Sequence, residues 1–193
     1  ADILETLGAD GEVLEFGAGT GCFAADLLSE LAKLGRTPKR YSILELSAAL
    51  KAQQQHVLGS YACQGLMVWR DTLPAPGFTG VVIANEVLDA MPVVRFQKQG
   101  DGEFVELGVT ADKDEFTWTS RPVMEELRGR LVEIDTAGDE PLPVGYVSEI
   151  SLLVNPWIAS LSDFLQRGLA LICDYGYTRR EYYHRDRNNG TLI

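Results

Sequence analysis

Glu15-Phe16-Gly17-Ala18-Gly19-Thr20-Gly21 is the stretch with the clearest capacity for chemistry. An apolar pair, Val13-Leu14, leads into it, and the stripe Ala24, Leu27, Leu28, Leu31 and Leu34 leads out at helical spacing. Glycines at a strand-to-helix turn let a ligand approach the backbone, and the free N–H groups of the helix N-terminus face it. A purely structural connection is the competing reading, and the flanking pattern favours a ligand. The spacing E-x-G-x-G-x-G is not the dinucleotide fingerprint G-x-G-x-x-G, because Cys22 stands where the third glycine belongs. Glu15 also disfavours a pyrophosphate by charge repulsion. A cationic ligand without phosphate suits the site better, and S-adenosyl-L-methionine (SAM) is one.

Other polar residues close later apolar runs. Glu45 follows Tyr41-Ser42-Ile43-Leu44, and a carboxylate there can accept from both hydroxyls of a ribose. Its interval from Gly21 is a little longer than the usual roughly 20 residues, which a long intervening helix accounts for. Asp71, behind Leu66-Met67-Val68-Trp69-Arg70, is placed either to accept from an adenine amino group or to cap a turn. Asn85, Glu86 and Asp89 follow Gly80-Val81-Val82-Ile83-Ala84. They are read as groups facing the donor sulfonium and the acceptor, against the alternative of a helix cap with acids at its positive end. Asp174 and Glu149 are further carboxylates, functional or structural. The cofactor set is therefore Glu15, Gly17, Gly19, Gly21, Glu45, Asp71 and Asn85; the catalytic set is Asn85, Glu86 and Asp89. No Asp/Asn-Pro-Pro-aromatic tetrapeptide follows the fourth strand, so methylation of a nucleic-acid base is not supported. His56 and His184 suggest neither a metal site nor a triad.

These groups need a scaffold. Strands are expected at 13–16, 41–46, 66–69 and 80–84, alternating with helices that Thr20 and Ser47 cap and that Gly35 and Gly59 end. Such alternation means a parallel sheet with right-handed crossovers. From Val93 to about Trp118 the pattern becomes an antiparallel hairpin, the start of an insertion over about 93–145. A short helix at 124–131 and a loop at 138–145 follow. Helix is expected to resume near Ser148; Asn155-Pro156 either kinks it or starts a fresh helix, with Asn155 as cap, and Gly168 ends it. Leu169-Ala170-Leu171-Ile172-Cys173 reads as a buried fifth strand. The fold class is thus α/β, with all 193 residues in one domain.

Seventeen basic against 28 acidic residues give a net charge of −11, which argues against nucleic acid and anionic membranes as partners. The charge is compatible with a cationic substrate, although solubility explains most of it. Three scattered cysteines make no disulfide framework, so a reducing, cytoplasmic-type compartment is expected, and Cys22 is read as a small buried residue. No run has transmembrane length and no signal peptide is visible. The chain opens shortly before its first strand and stops just after Gly190-Thr191-Leu192; both ends are expected to be cut.

Taken together, Val13–Gly21, Ile43–Ser47, Ala84-Asn85-Glu86-Val87-Leu88-Asp89-Ala90-Met91-Pro92-Val93, Gly145–Ile150, Asp174-Tyr175-Gly176-Tyr177, and Glu181-Tyr182-Tyr183 through Arg187 to Leu192 resemble one family closely. It is that of the MidA-like SAM-dependent methyltransferases, which includes a mitochondrial complex I assembly factor that dimethylates an arginine. The resemblance implies a Rossmann-like class I methyltransferase sheet with SAM as cofactor and a protein arginine as acceptor. It also implies a helical segment before this chain and a part after it that holds the last strands. The fifth strand would then be left as an edge. A homodimer is allowed, and the mitochondrial matrix is the expected location in a eukaryote. Rival readings are a non-catalytic SAM-binding assembly factor, a small-molecule methyltransferase, and a nucleotide-dependent oxidoreductase, which Cys22 disfavours.

Overall fold

The computed structural model describes residues 1–112, 115–138 and 140–192. The expected hairpin and the expected loop at 138–145 therefore each include positions outside the described residues. In chain order the elements are α1 (Asp2–Leu7), β1 (Glu12–Phe16), α2 (Cys22–Lys33), β2 (Tyr41–Leu44), α3 (Ala48–Val57), α4 (Gly59–Cys63), β3 (Met67–Arg70), β4 (Phe78–Asn85) and β5 (Val94–Lys98). There follow β6 (Phe104–Asp112), β7 (Glu115–Pro122), α5 (Glu125–Asp135), β8 (Val147–Ile150), α6 (Val154–Phe164), β9 (Leu165–Cys173) and α7 (Arg179–Tyr182). They form two compact units, residues 1–90 with 156–174, and residues 91–155 with 175–193.

The first unit is a parallel sheet in the order β3-β2-β1-β4-β9. Apolar β1 is covered on both faces. Val13 and Ile43 join Ala24, Leu28, Leu31 and Leu58 on one side. Leu14, Phe16 and Val82 join Leu161 and Phe164 on the other. Chain order reverses between β1 and β4, so the carboxyl ends of the strands open a crevice there, the usual place for a ligand in such a sheet.

Several local expectations change. Gly21, not Thr20, stands at the N-cap of α2, in the left-handed region at φ 85°, because the preceding turn alternates glycines at positive φ. The helix from Ala48 ends at Val57 as expected, and a separate short helix, α4, starts at Gly59. Gly168 lies inside β9 rather than at the end of a helix. There it faces Gly80 across the ladder, and a Cβ on either would collide with backbone oxygen, of Gly80 or of Glu12 respectively. The missing Cβ at Gly168 lets β9 close on β4, and the missing Cβ at Gly80 lets β4 close on β1. Leu169 and Leu171 are exposed, so β9 is an edge strand and not a buried one.

In the second unit the expected hairpin, turning at Gly100-Asp101-Gly102, is β5 with β6, and it belongs to an antiparallel sheet ordered β7-β6-β5-β8. The segment from Val147 is strand, not helix, because it carries the buried polar pair Ser148 and Glu149 into a ladder with β5. Phe96, Leu127, Leu131 and Tyr146 centre this unit's own core. Its buried charges are paired. Lys98 bonds both oxygens of Asp135 at 2.7 and 2.8 Å, and Arg121 with the Met124 N–H satisfies Glu106. No helix among the described residues is long and apolar enough to cross a membrane.

Candidate functional site

The glycine turn, the end of β2 and the end of β4 meet on one edge of the parallel sheet. Gly17, Gly19 and Gly21 take φ of 60°, 53° and 85°, a conformation that side-chain-bearing residues rarely adopt. The Gly17 N–H is tied to the Leu44 carbonyl at 3.0 Å, which docks the turn against the end of β2. No heavy atom would lie within 4 Å of a Cβ on Gly19, so the space above it is open to a ligand.

Glu15 lies in β1 just before this turn and is only 3% exposed. Its Oε2 accepts from the Tyr41 hydroxyl at 2.7 Å. Burial pushes its carboxyl up to about 7, against a smaller downward pull from that hydrogen bond. Burial, and then the neighbouring Glu15 charge, push the Tyr41 phenol far up in turn. The fixed negative charge that the sequence suggests against a pyrophosphate is therefore only partial at neutral pH.

Glu45 ends β2 with 9% exposure. Oε1 accepts from the Ser47 N–H at 2.8 Å and Oε2 from the Gln54 side-chain amide at 2.8 Å. Ser47 in turn caps α3, accepting from the Leu50 N–H as expected. Asp71 is exposed after β3 and held by Lys51 Nζ at 2.8 Å. Lys51 and Gln54 are contributions that the sequence reading missed. Gln54 did leave a signal: on α3 it shares the i±4 stripe of Leu50 and Leu58, a polar residue where an apolar one is expected.

Asn85 is the last residue of β4, and both it and Glu86 are exposed. Glu86 has φ 50°, the one non-glycine with positive φ among the described residues. That conformation costs a side-chain-bearing residue roughly 1–2 kcal/mol. The Glu86 N–H is anchored on the Cys173 carbonyl at 2.8 Å. Residues 86–93 form turns, not helix, so the helix-capping role considered for Asn85, Glu86 and Asp89 has no helix to serve. Asp174 is a clamp: its Oδ2 accepts from the N–H groups of Leu88 and Asp89 at 2.9 and 3.3 Å, fixing the loop that carries the acids.

Glu149 belongs to the second unit and is not an open carboxylate. It is 1% exposed. Its Oε2 accepts from the N–H and hydroxyl of Thr191 at 2.8 and 3.2 Å, and Arg95 Nε stands 3.3 Å from Oε1. Cys22, expected to be buried, is exposed at the start of α2, as are Cys63 and Cys173. Among the described residues no group of three His, Cys, Asp or Glu could hold a metal ion.

An open glycine turn with the hydrogen-bonded Glu45 carboxylate after β2 fits an adenosyl ligand without phosphates, and comparison with known proteins agrees. A sequence model of the family described as putative S-adenosyl-L-methionine-dependent methyltransferases matches residues 1–193. A Burkholderia thailandensis protein, whose crystal structure holds S-adenosyl-homocysteine, is 40% identical with a TM-score of 0.83 over 97% of this chain and 48% of its own. A native crystal structure of a Burkholderia thailandensis protein gives 40% identity and a TM-score of 0.84, over 98% of this chain and 50% of that one. The Caenorhabditis elegans homologue of the mitochondrial protein arginine methyltransferase NDUFAF7 is 26% identical over 91% of this chain and 45% of its own length. The chain thus spans about half the length of these relatives.

Proposed function

We propose, since this chain belongs to the family of putative SAM-dependent methyltransferases, that it transfers a methyl group from SAM to a protein arginine. When bound, SAM supplies an electrophilic methyl on a sulfonium. The glycine turn and Glu45 hold the nucleoside end at the ends of β1 and β2, with Asp71 beside the base. Asn85 closes the crevice at the end of β4. Glu86 and Asp89 orient the acceptor guanidinium and balance its charge; its N–C bond would form as the sulfonium S–C bond breaks, leaving S-adenosylhomocysteine, and one N–H proton would pass to solvent, so catalysis is chiefly positioning and electrostatics.

The observation that carries the acceptor side is Glu86. A strained, exposed acid is held in place by Cys173 on a loop that Asp174 clamps, where no helix requires it. Strain retained at an exposed polar residue is a pointer to function. The arginine acceptor is supported by the name of the Caenorhabditis elegans relative; the carboxylates make it chemically reasonable.

The test measures S-adenosylhomocysteine binding by calorimetry and methyl-arginine formation by mass spectrometry after adding SAM and a host lysate. Glu86→Ala and Asp89→Ala are expected to bind within about threefold of the parent, and to lose on the order of 100-fold in methylation. Undiminished methylation by both variants would overturn the acceptor-side assignment. Binding without any methylation by the parent protein would favour a SAM-holding assembly factor.

A further inference from the structure

Gln54 is fully buried, and its side chain joins three elements of the site. Its amide NH₂ donates to the Gly19 carbonyl at 2.9 Å and to Glu45 Oε2 at 2.8 Å, while its oxygen accepts from the Trp69 indole N–H at 3.1 Å. The partners are two acceptors and one donor, so only one orientation of the amide satisfies them, and both of its N–H groups are used. The backbone around it is equally close. A Cβ on Gly21 would meet Gln54 Cα and Cγ at 3.4 Å, so α3 is packed directly against the turn.

The consequence for Glu45 follows from lone-pair arithmetic. A carboxylate offers about four acceptor sites, two on each oxygen. The Ser47 N–H takes one on Oε1 and the Gln54 amide takes one on Oε2. One site per oxygen is left, on a carboxylate that two donors hold in a fixed plane. A vicinal diol presents two O–H donors at matching separation. An unheld glutamate would instead lose rotamer freedom on binding.

We propose that Gln54 is a positioning residue for the cofactor. It aims the Glu45 carboxylate at the two ribose hydroxyls and ties that carboxylate to the Gly19 carbonyl, so that the ribose acceptor and the glycine turn form one preorganised surface. Gln54 acts through Glu45 and the turn and does not itself touch the ligand. The proposal rests on the reading of Glu45 as the ribose acceptor.

The experiment is a double-mutant cycle of Gln54→Met with Glu45→Gln, read by calorimetric titration of S-adenosylhomocysteine and of its 2′,3′-dideoxy analogue. Methionine keeps length and helix propensity while removing every hydrogen bond. Gln54→Met is expected to weaken S-adenosylhomocysteine binding about tenfold when Glu45 is present and less than twofold when residue 45 is glutamine. For the dideoxy analogue the Gln54→Met loss should also shrink below about twofold. A Gln54→Met loss of the same size in all of these arms would make Gln54 a merely structural residue and overturn the inference. If Glu45→Gln alone leaves binding unchanged, the ribose reading of Glu45 falls first and the inference with it. Should Gln54→Met fail to fold, Trp69→Phe frees one side of the amide. It is expected to weaken S-adenosylhomocysteine two- to threefold and the dideoxy analogue not at all; equal effects on both ligands would again overturn the inference.

Discussion

At the scale of single residues, burial decides what a carboxylate can do. Glu15 and Glu45 both stand at strand ends in sequence, yet one is sealed against Tyr41 and the other is presented with donors on both oxygens. The raised value of Glu15, about 7 against an ordinary 4.5, has a sign that can be followed. The folded state holds the Glu15 proton more tightly than the unfolded chain does. Its contribution to stability is therefore complete below pH 4.5 and lost as pH rises through about 7. Between pH 5 and pH 8 the loss from this group is roughly 2–3 kcal/mol. Glu15→Gln keeps the shape and removes the titration. Urea denaturation should show the variant gaining about that much relative to the parent over the same range. A constant difference between the two proteins would mean that Glu15 is not held neutral. Neither the partner of Glu15 nor that of Glu45 could be read from sequence, because Tyr41 and Gln54 are brought to them by neighbouring strands and helices.

At the scale of elements, the parallel strands were legible and some of their ends were not. Alternating apolar runs and helical stripes place β1 to β4 within a few residues of where they lie. Glycine was misread at Gly168, since a glycine needed for close approach looks the same in sequence as one that ends a helix. The pairing of Gly80 with Gly168 makes a prediction. Gly168 has φ 143°, and a methyl there would run into the Gly80 carbonyl. Gly168→Ala should cost about 2–4 kcal/mol of stability through overpacking and backbone strain. Hydrogen exchange of the β4 and β9 amides would report it; unchanged protection there would contradict the close approach. The segment 147–150 was misread for another reason: its buried Ser148 and Glu149 hide the alternation that marks a strand.

At the scale of the whole chain, each of the two units has a core of its own. In the second, Lys98 is buried against Asp135, which also accepts from the Leu142 N–H. Removing one partner leaves an uncompensated buried charge, so Asp135→Ala should destabilise this unit by about 3–5 kcal/mol. Loss of amide protection in α5, β5 and β8 would show it, and intact protection would rule out a structural role for the pair. The sequence by itself determined the parallel α/β class, the glycine turn and the acids that follow the strands, because periodicity and local backbone chemistry act over a few residues. Tertiary structure alone decided that Tyr41 holds Glu15 while Ser47 and Gln54 hold Glu45. It made Asp174 a clamp, closed Glu149 around the segment that ends in Thr191, and left Glu86 strained and exposed with no helix to cap. It also turned an unremarked glutamine into the link between the glycine turn and Glu45. Those outcomes depend on burial and on hydrogen-bond partners far apart in the chain, and spacing in the sequence does not name those partners.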